Sequence, residues 1–178
     1  MNELIEFKRA IEFDRGVIYG LLRESYADLL DARPDLAEEY KANWKKADDD
    51  TFDNPNSIGR CVLISTLNNE PVGFVSWDPR CIPEVGEVGQ NCILPAHRGK
   101  GLGKLQIQKV LDVFREKATR VVKVTTENHP FFVPAQRTYL SCGFREGRRS
   151  CTDAYGGLEL MHFEFTSNQY LVSINSGR

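Results

Sequence analysis

Residues 97–104 read "HRGKGLGK", with glycines at 99, 101 and 103 set between Arg98, Lys100, Leu102 and Lys104. The segment after this loop is helical in pattern: Ile107, Val110, Leu111 and Phe114 fall at i, i+3, i+4 and i+7. Upstream, "EVGEVGQNCIL" (84–94) reads as a strand that Pro95 terminates, its glycines marking a bulge or a close backbone approach. Downstream, "RVVKVTTE" (120–127) is a short β-branched strand. Strand, loop, helix and strand in that order predict a parallel crossover unit. The loop opens a helix, so unpaired N–H groups and the positive end of the helix dipole converge on it. Glycine lets a ligand approach the backbone there, and the three cations favour a phosphate or pyrophosphate.

Spacing excludes the two commonest phosphate loops. A GxxxxGK[ST] loop needs glycine at 98 and a hydroxyl at 105, where the chain has Arg98 and Leu105. A GxGxxG fingerprint from Gly99 or Gly101 needs glycine at 104 or 106, where Lys104 and Gln106 stand.

The rest of the chain frames this unit. "LIEFKRA" from residue 4 opens as a strand, and Asp14 is placed to cap a helix carrying Val17, Ile18, Leu21, Leu22 and Leu29. A second helical pattern runs from Pro34 to Lys46, and "ADDDTFDNPNS" (47–57) reads as a solvated loop. "IGRCVLISTL" and "PVGFVSWDP" form a hairpin about Asn68-Asn69, with the 84–94 strand as the next antiparallel partner. "PAQRTYLSC" is a helix with Pro134 at its start and Gly143 past its end. "FREGRRSCT" and "LELMHFEF" pair across "DAYGG".

With 178 residues, 41% of them hydrophobic, the expectation is one domain over 1–178, with a core at 4–165 and a tail at 166–178. Twenty-three Lys and Arg against 25 Asp and Glu give a net charge of -2, so no basic field recruits nucleic acid or anionic lipid. No run approaches the ~18 apolar residues of a membrane span, and the reading is a cytoplasmic protein. The five cysteines (61, 81, 92, 142 and 151) have no CxxC pair and read mostly as reduced, small core residues. Three scattered histidines predict no metal site.

Two motifs then coincide. Arg98-x-x-Gly101-x-Gly103 after "CILP", and "AQRTYLSCGF" (135–144) about thirty residues on, resemble the pyrophosphate segment and the A-x-x-x-Y-x-x-x-G-F helix of the GNAT superfamily of acyl-coenzyme A-dependent N-acyltransferases. The resemblance implies an α/β fold with a mixed, mostly antiparallel, twisted sheet flanked by helices on both faces. It implies acetyl-coenzyme A as co-substrate, held by Arg98, Gly99, Lys100, Gly101, Leu102, Gly103 and Lys104. The main chain of Asn91, Cys92 and Ile93, where the strand splays from its parallel neighbour, would meet the pantetheine arm and the thioester oxygen. One position departs: where family members commonly carry an asparagine near the coenzyme, this chain has Phe132, and Asn128 either supplies that polar contact or turns the chain ahead of Pro130.

Acyl transfer to an amine needs a deprotonated amine, a stabilised oxyanion and a proton for the departing thiolate. The resemblance makes Tyr139 the general acid. It offers Glu87, with Glu84 as competitor, as the acceptor of the amine proton. Cys92 has no histidine placed by sequence to activate it, so direct transfer through a tetrahedral intermediate is expected. The acceptor, a small-molecule or peptide amine, is open. Trp44, Phe52 and Trp77 read equally as pocket or core. A homodimer is a possibility. Two other functions fit the sequence: a non-catalytic acyl-coenzyme A-binding or sensing domain, and a nucleotide-binding enzyme of another class.

Overall fold

The computed structural model describes residues 5–152 and 157–167, so the "DAYGG" turn, except its last glycine, and the tail from 168 lie outside the described residues. Seven strands form one sheet in the order β1-β2-β3-β4-β5-β7-β6. They are β1 (Glu6–Arg9), β2 (Val62–Leu67), β3 (Glu70–Asp78), β4 (Val85–Ile93), β5 (Val121–Glu127), β6 (Arg145–Cys151) and β7 (Glu159–Thr166). The helices are α1 (Val17–Ser25), α2 (Ala27–Ala32), α3 (Ala37–Asp53), α4 (Leu102–Glu116) and α5 (Val133–Ser141). The chain divides into two compact units, Met1–Ser76 with Gln90–Gly103, and Trp77–Gly89 with Lys104–Arg178. Among the described residues no helix is long and apolar enough to cross a membrane.

In the first unit β2 pairs antiparallel with both β1 and β3. Asn68 and Asn69 close the β2–β3 hairpin at φ 51° and 66°, the left-handed pair that a two-residue turn requires. Ile64 of β2 and Phe74 and Val75 of β3 are buried.

Two expectations fail in this unit, both at the acidic run. Residues 47–53 are the last turns of α3 rather than a loop. Lys45 pairs with Asp49 and Lys46 with Asp50 at i, i+4, which supports a helix that aspartate propensity alone disfavours. Asp48 is buried, and its carboxylate accepts from the N–H groups of Gly16 (2.8 Å), Ile18 (3.0 Å) and Tyr19 (3.3 Å). It therefore caps α1 in place of Asp14, whose side chain is not at the cap: Gly16 is the N-cap residue. Trp44 belongs to the core, stacked on Tyr40 and tilted against Tyr26.

In the second unit β4 and β5 run parallel in the register Val85↔Val121 to Val88↔Val124. β7 pairs antiparallel with β5 and β6, the latter with a register shift between Glu146 and Arg149. Gly86, Val122, Val124 and Phe163 turn to one face, where Phe114 of α4 and Tyr139 of α5 pack on them. Glycine at 86 is a steric need, because a Cβ there would overlap the fully buried Phe114 ring. Gly86→Ala is expected to cost about 1–3 kcal/mol in urea unfolding, with Gly86→Ala/Phe114→Leu recovering part of the loss.

The cysteine expectation is corrected too. All five are free thiols, but only Cys92 is buried; Cys81 and Cys151 are exposed and Cys61 and Cys142 lie between. Cys81 and Cys151 stand at loop and edge-strand positions that no core packs against.

Candidate active site

In the first unit, β4 ends at Ile93 and Leu94 N–H donates to the Val72 carbonyl at 2.8 Å. A 3₁₀ turn at Pro95–His97 leads into the glycine loop. Gly99 and Gly101 sit at φ 75° and 78°, left-handed conformations that side chains rarely adopt, and a Cβ on either would meet nothing within 4 Å. Backbone conformation, not crowding, requires these glycines, and the space above them is open. Leu102 is buried with Leu67 and Val72, with Ile5 and Ile93 packed against them, and this anchors the far end of the loop where α4 begins. Lys100 is exposed on the loop, and Lys104 is exposed on the first turn of α4.

Arg98, read from sequence as a phosphate contact, uses its side chain otherwise. Its Nε donates to the Ile93 carbonyl at 3.0 Å and its terminal nitrogen to the carbonyl of Ser25, the last residue of α1. The cation lies at the negative end of the α1 dipole and ties the loop's entrance to β4 and α1. Tyr26 Oη donates to the Asn91 carbonyl at 3.3 Å. The structure thus brings Asn91, Cys92, Ile93 and Arg98 together, with Ser25 and Tyr26 as neighbours that sequence reading missed. No local signal could find them, because Ser25 is 73 positions from Arg98.

Burial pushes the Cys92 thiol up to about 11, which weighs against a covalent acyl-enzyme at this residue. At pH 8 only on the order of one thiol in a thousand would be ionised. Alkylation of the folded protein is expected to modify Cys81 and Cys151 first and to leave Cys92 until urea unfolds the chain. Rapid modification of Cys92 at pH 8, read by peptide mass mapping, would contradict this.

In the second unit, Tyr139 is buried, its ring 5.8 Å from Phe163 and 6.1 Å from Phe144. Tyr139 is therefore on the packed face of α5. Glu87 is exposed on β4 and is register partner to Lys123, so it occupies the opposite face of these strands from Tyr139. Glu84 is engaged with Arg120 at 2.8 Å. Asn128 donates its side-chain amide to Glu159 and its N–H to the Glu159 carbonyl, so it fastens the end of β5 to β7. Phe132 is the N-cap residue of α5 and packs edge-on against Phe131. Lys104 accepts, through its carbonyl, from the Cys142 thiol at 3.8 Å, which links the start of α4 to the end of α5.

A model of the acetyltransferase (GNAT) family matches residues 21–144. The chain belongs to that family. A GNAT-family protein from Desulfovibrio desulfuricans is similar over 92% of this chain and 98% of its own, with TM-score 0.71 at 13% identity. A Salmonella typhimurium protein, solved with its cofactor acetyl-CoA, is similar over 59% of this GNAT chain and 63% of its own, with TM-score 0.51 at 22% identity. An uncharacterized N-acetyltransferase of Archaeoglobus fulgidus is 29% identical over 68 residues, 35% of this chain and 46% of that protein. The GNAT chain thus matches about half the length of that curated relative.

Proposed function

We propose that this GNAT protein transfers an acetyl group from acetyl-coenzyme A to a primary amine in the cytoplasm, by direct attack of the amine on the thioester. The observation that carries the reading is the pair of left-handed glycines, Gly99 and Gly101, in an open loop at the start of a four-turn helix. Backbone N–H groups and the helix dipole favour an anion there, and Lys100 and Lys104 add positive charge, so the residues present fit a pyrophosphate. The acetyl-CoA bound by the Salmonella typhimurium relative supports the same donor.

In this reading residues 98–104 hold the pyrophosphate, with Arg98 fixing the loop, while the main chain of Asn91, Cys92 and Ile93 serves the pantetheine arm. Tyr139 protonates the departing thiolate. Glu87, on the face opposite Tyr139, supplies negative charge for a cationic amine.

The test is release of free thiol from acetyl-coenzyme A in the presence of single amines: an alanine-leading peptide, a lysine peptide with a blocked α-amine, spermidine and an aminoglycoside. Amine-dependent thiol release with an acetylated product is the expected result. Binding of acetyl-coenzyme A with no turnover on any of them would favour the sensing alternative.

A further inference from the structure

His162 lies in a hydrogen-bonded line across three adjacent strands. Its Nδ1 is 3.0 Å from Thr125 Oγ1 on β5 and its Nε2 is 2.7 Å from Ser150 Oγ on β6. Thr125 and His162 are register partners, and all three residues are half-buried. The register of β4 with β5 runs to Val88↔Val124, while β5 continues to Glu127. Thr125 is therefore the first β5 residue past that register. On β4 the residue that follows Val88, the last in that register, is a glycine, Gly89.

We infer that Thr125, His162 and Ser150 form the proton acceptor of the acyl-transfer reaction, with His162 as the base and Thr125 as the hydroxyl through which the amine reaches it. The inference rests on the acetyl-transfer reading of the site. In the resting arrangement Thr125 O–H donates to Nδ1 and Nε2–H donates to Ser150 Oγ. The ammonium passes one proton to Thr125 Oγ1 as the threonine's own proton moves to Nδ1, leaving a free amine and an imidazolium. Both ring N–H groups then donate, and both hydroxyls accept after rotating, so the cation forms without leaving a polar group unpaired. The amine nitrogen bonds to the acyl carbon, the carbon–sulfur bond breaks, the thiolate takes a proton from Tyr139, the phenolate recovers the second proton that the nitrogen sheds in becoming an amide, and the imidazolium proton goes to solvent.

The charged groups around the ring come in pairs: Lys123 with Glu164, and Arg149 with Glu146 and Glu159. Glu127 lies two residues beyond Thr125 on β5, and Glu87 opposes Lys123 across the β4–β5 pair.

The experiment is kcat/KM against pH from 5 to 9 for wild type, His162→Gln and the near-isosteric Thr125→Val, on whichever amine of the panel wild type acetylates. Thermal stabilisation by acetyl-coenzyme A is measured in parallel on all three. Expected are a kcat loss on the order of 10² in both variants at pH 7.5, disappearance of the acidic limb that wild type shows, and unchanged acetyl-coenzyme A stabilisation. Either variant keeping the limb and a rate within threefold of wild type overturns the assignment. Rate loss accompanied by loss of acetyl-coenzyme A stabilisation in both also overturns it, because the line is then structural. Absence of wild-type turnover on every amine overturns the acetyl-transfer reading itself, and this one with it.

Discussion

Tyr139→Phe is expected to lower kcat by about 10²–10⁴ while leaving acetyl-coenzyme A binding nearly unchanged. The ring is held between Phe144 and Phe163, and removal of one oxygen keeps those contacts, so fold and cofactor affinity should survive. The loss is that of the phenol proton, which the departing thiolate takes in this reading. The comparison that isolates the role is kcat against the acetyl-coenzyme A dissociation constant in the same variant. A rate within threefold of wild type would remove Tyr139 from the chemistry and leave it as core.

The second large effect falls on stability. Asp48→Ala removes a buried carboxylate that accepts from three N–H groups at the start of α1. Loss of a helix cap costs roughly 0.5–2 kcal/mol, and buried donors left without an acceptor add about 1–3 kcal/mol. A total near 3 kcal/mol would lower Tm by roughly 6–12 °C in a chain of this size. Asp49→Ala is the control: the Asp49 carboxylate is only partly covered and joins Arg15 and Lys45 at the surface, so the midpoint should hardly move. Equal shifts in the two variants would mean that the buried cap contributes no more than the surface pairs.

Local pattern decided what was legible in the sequence. The glycine loop, the α4 stripe ending in Phe114, the Asn68-Asn69 hairpin and the helix between Pro134 and Gly143 all follow from neighbours within one turn or strand, and the structure has them where the pattern puts them. The failures share a cause. Asp48 reaches across 32 positions to Gly16, and no window of sequence around either residue contains the pair. The same run shows how a composition rule can mislead, since three aspartates suggest a loop while the lysines four residues before two of them support a helix. Arg98 reads from sequence as a cation in a glycine loop, and its ties to the carbonyls of Ser25 and Ile93 show only in the fold. His162 carried no signal at all until β5, β6 and β7 were in register.

We propose that residues 98–104 hold the pyrophosphate of acetyl-coenzyme A, and thermal unfolding of the purified protein with acetyl-coenzyme A, coenzyme A, ATP and NAD side by side decides it. Stabilisation by the two coenzyme A species alone is predicted, amounting to about 2.7 kcal/mol at a hundred times Kd. No shift with either coenzyme A species, or a shift only with ATP or NAD, would contradict it.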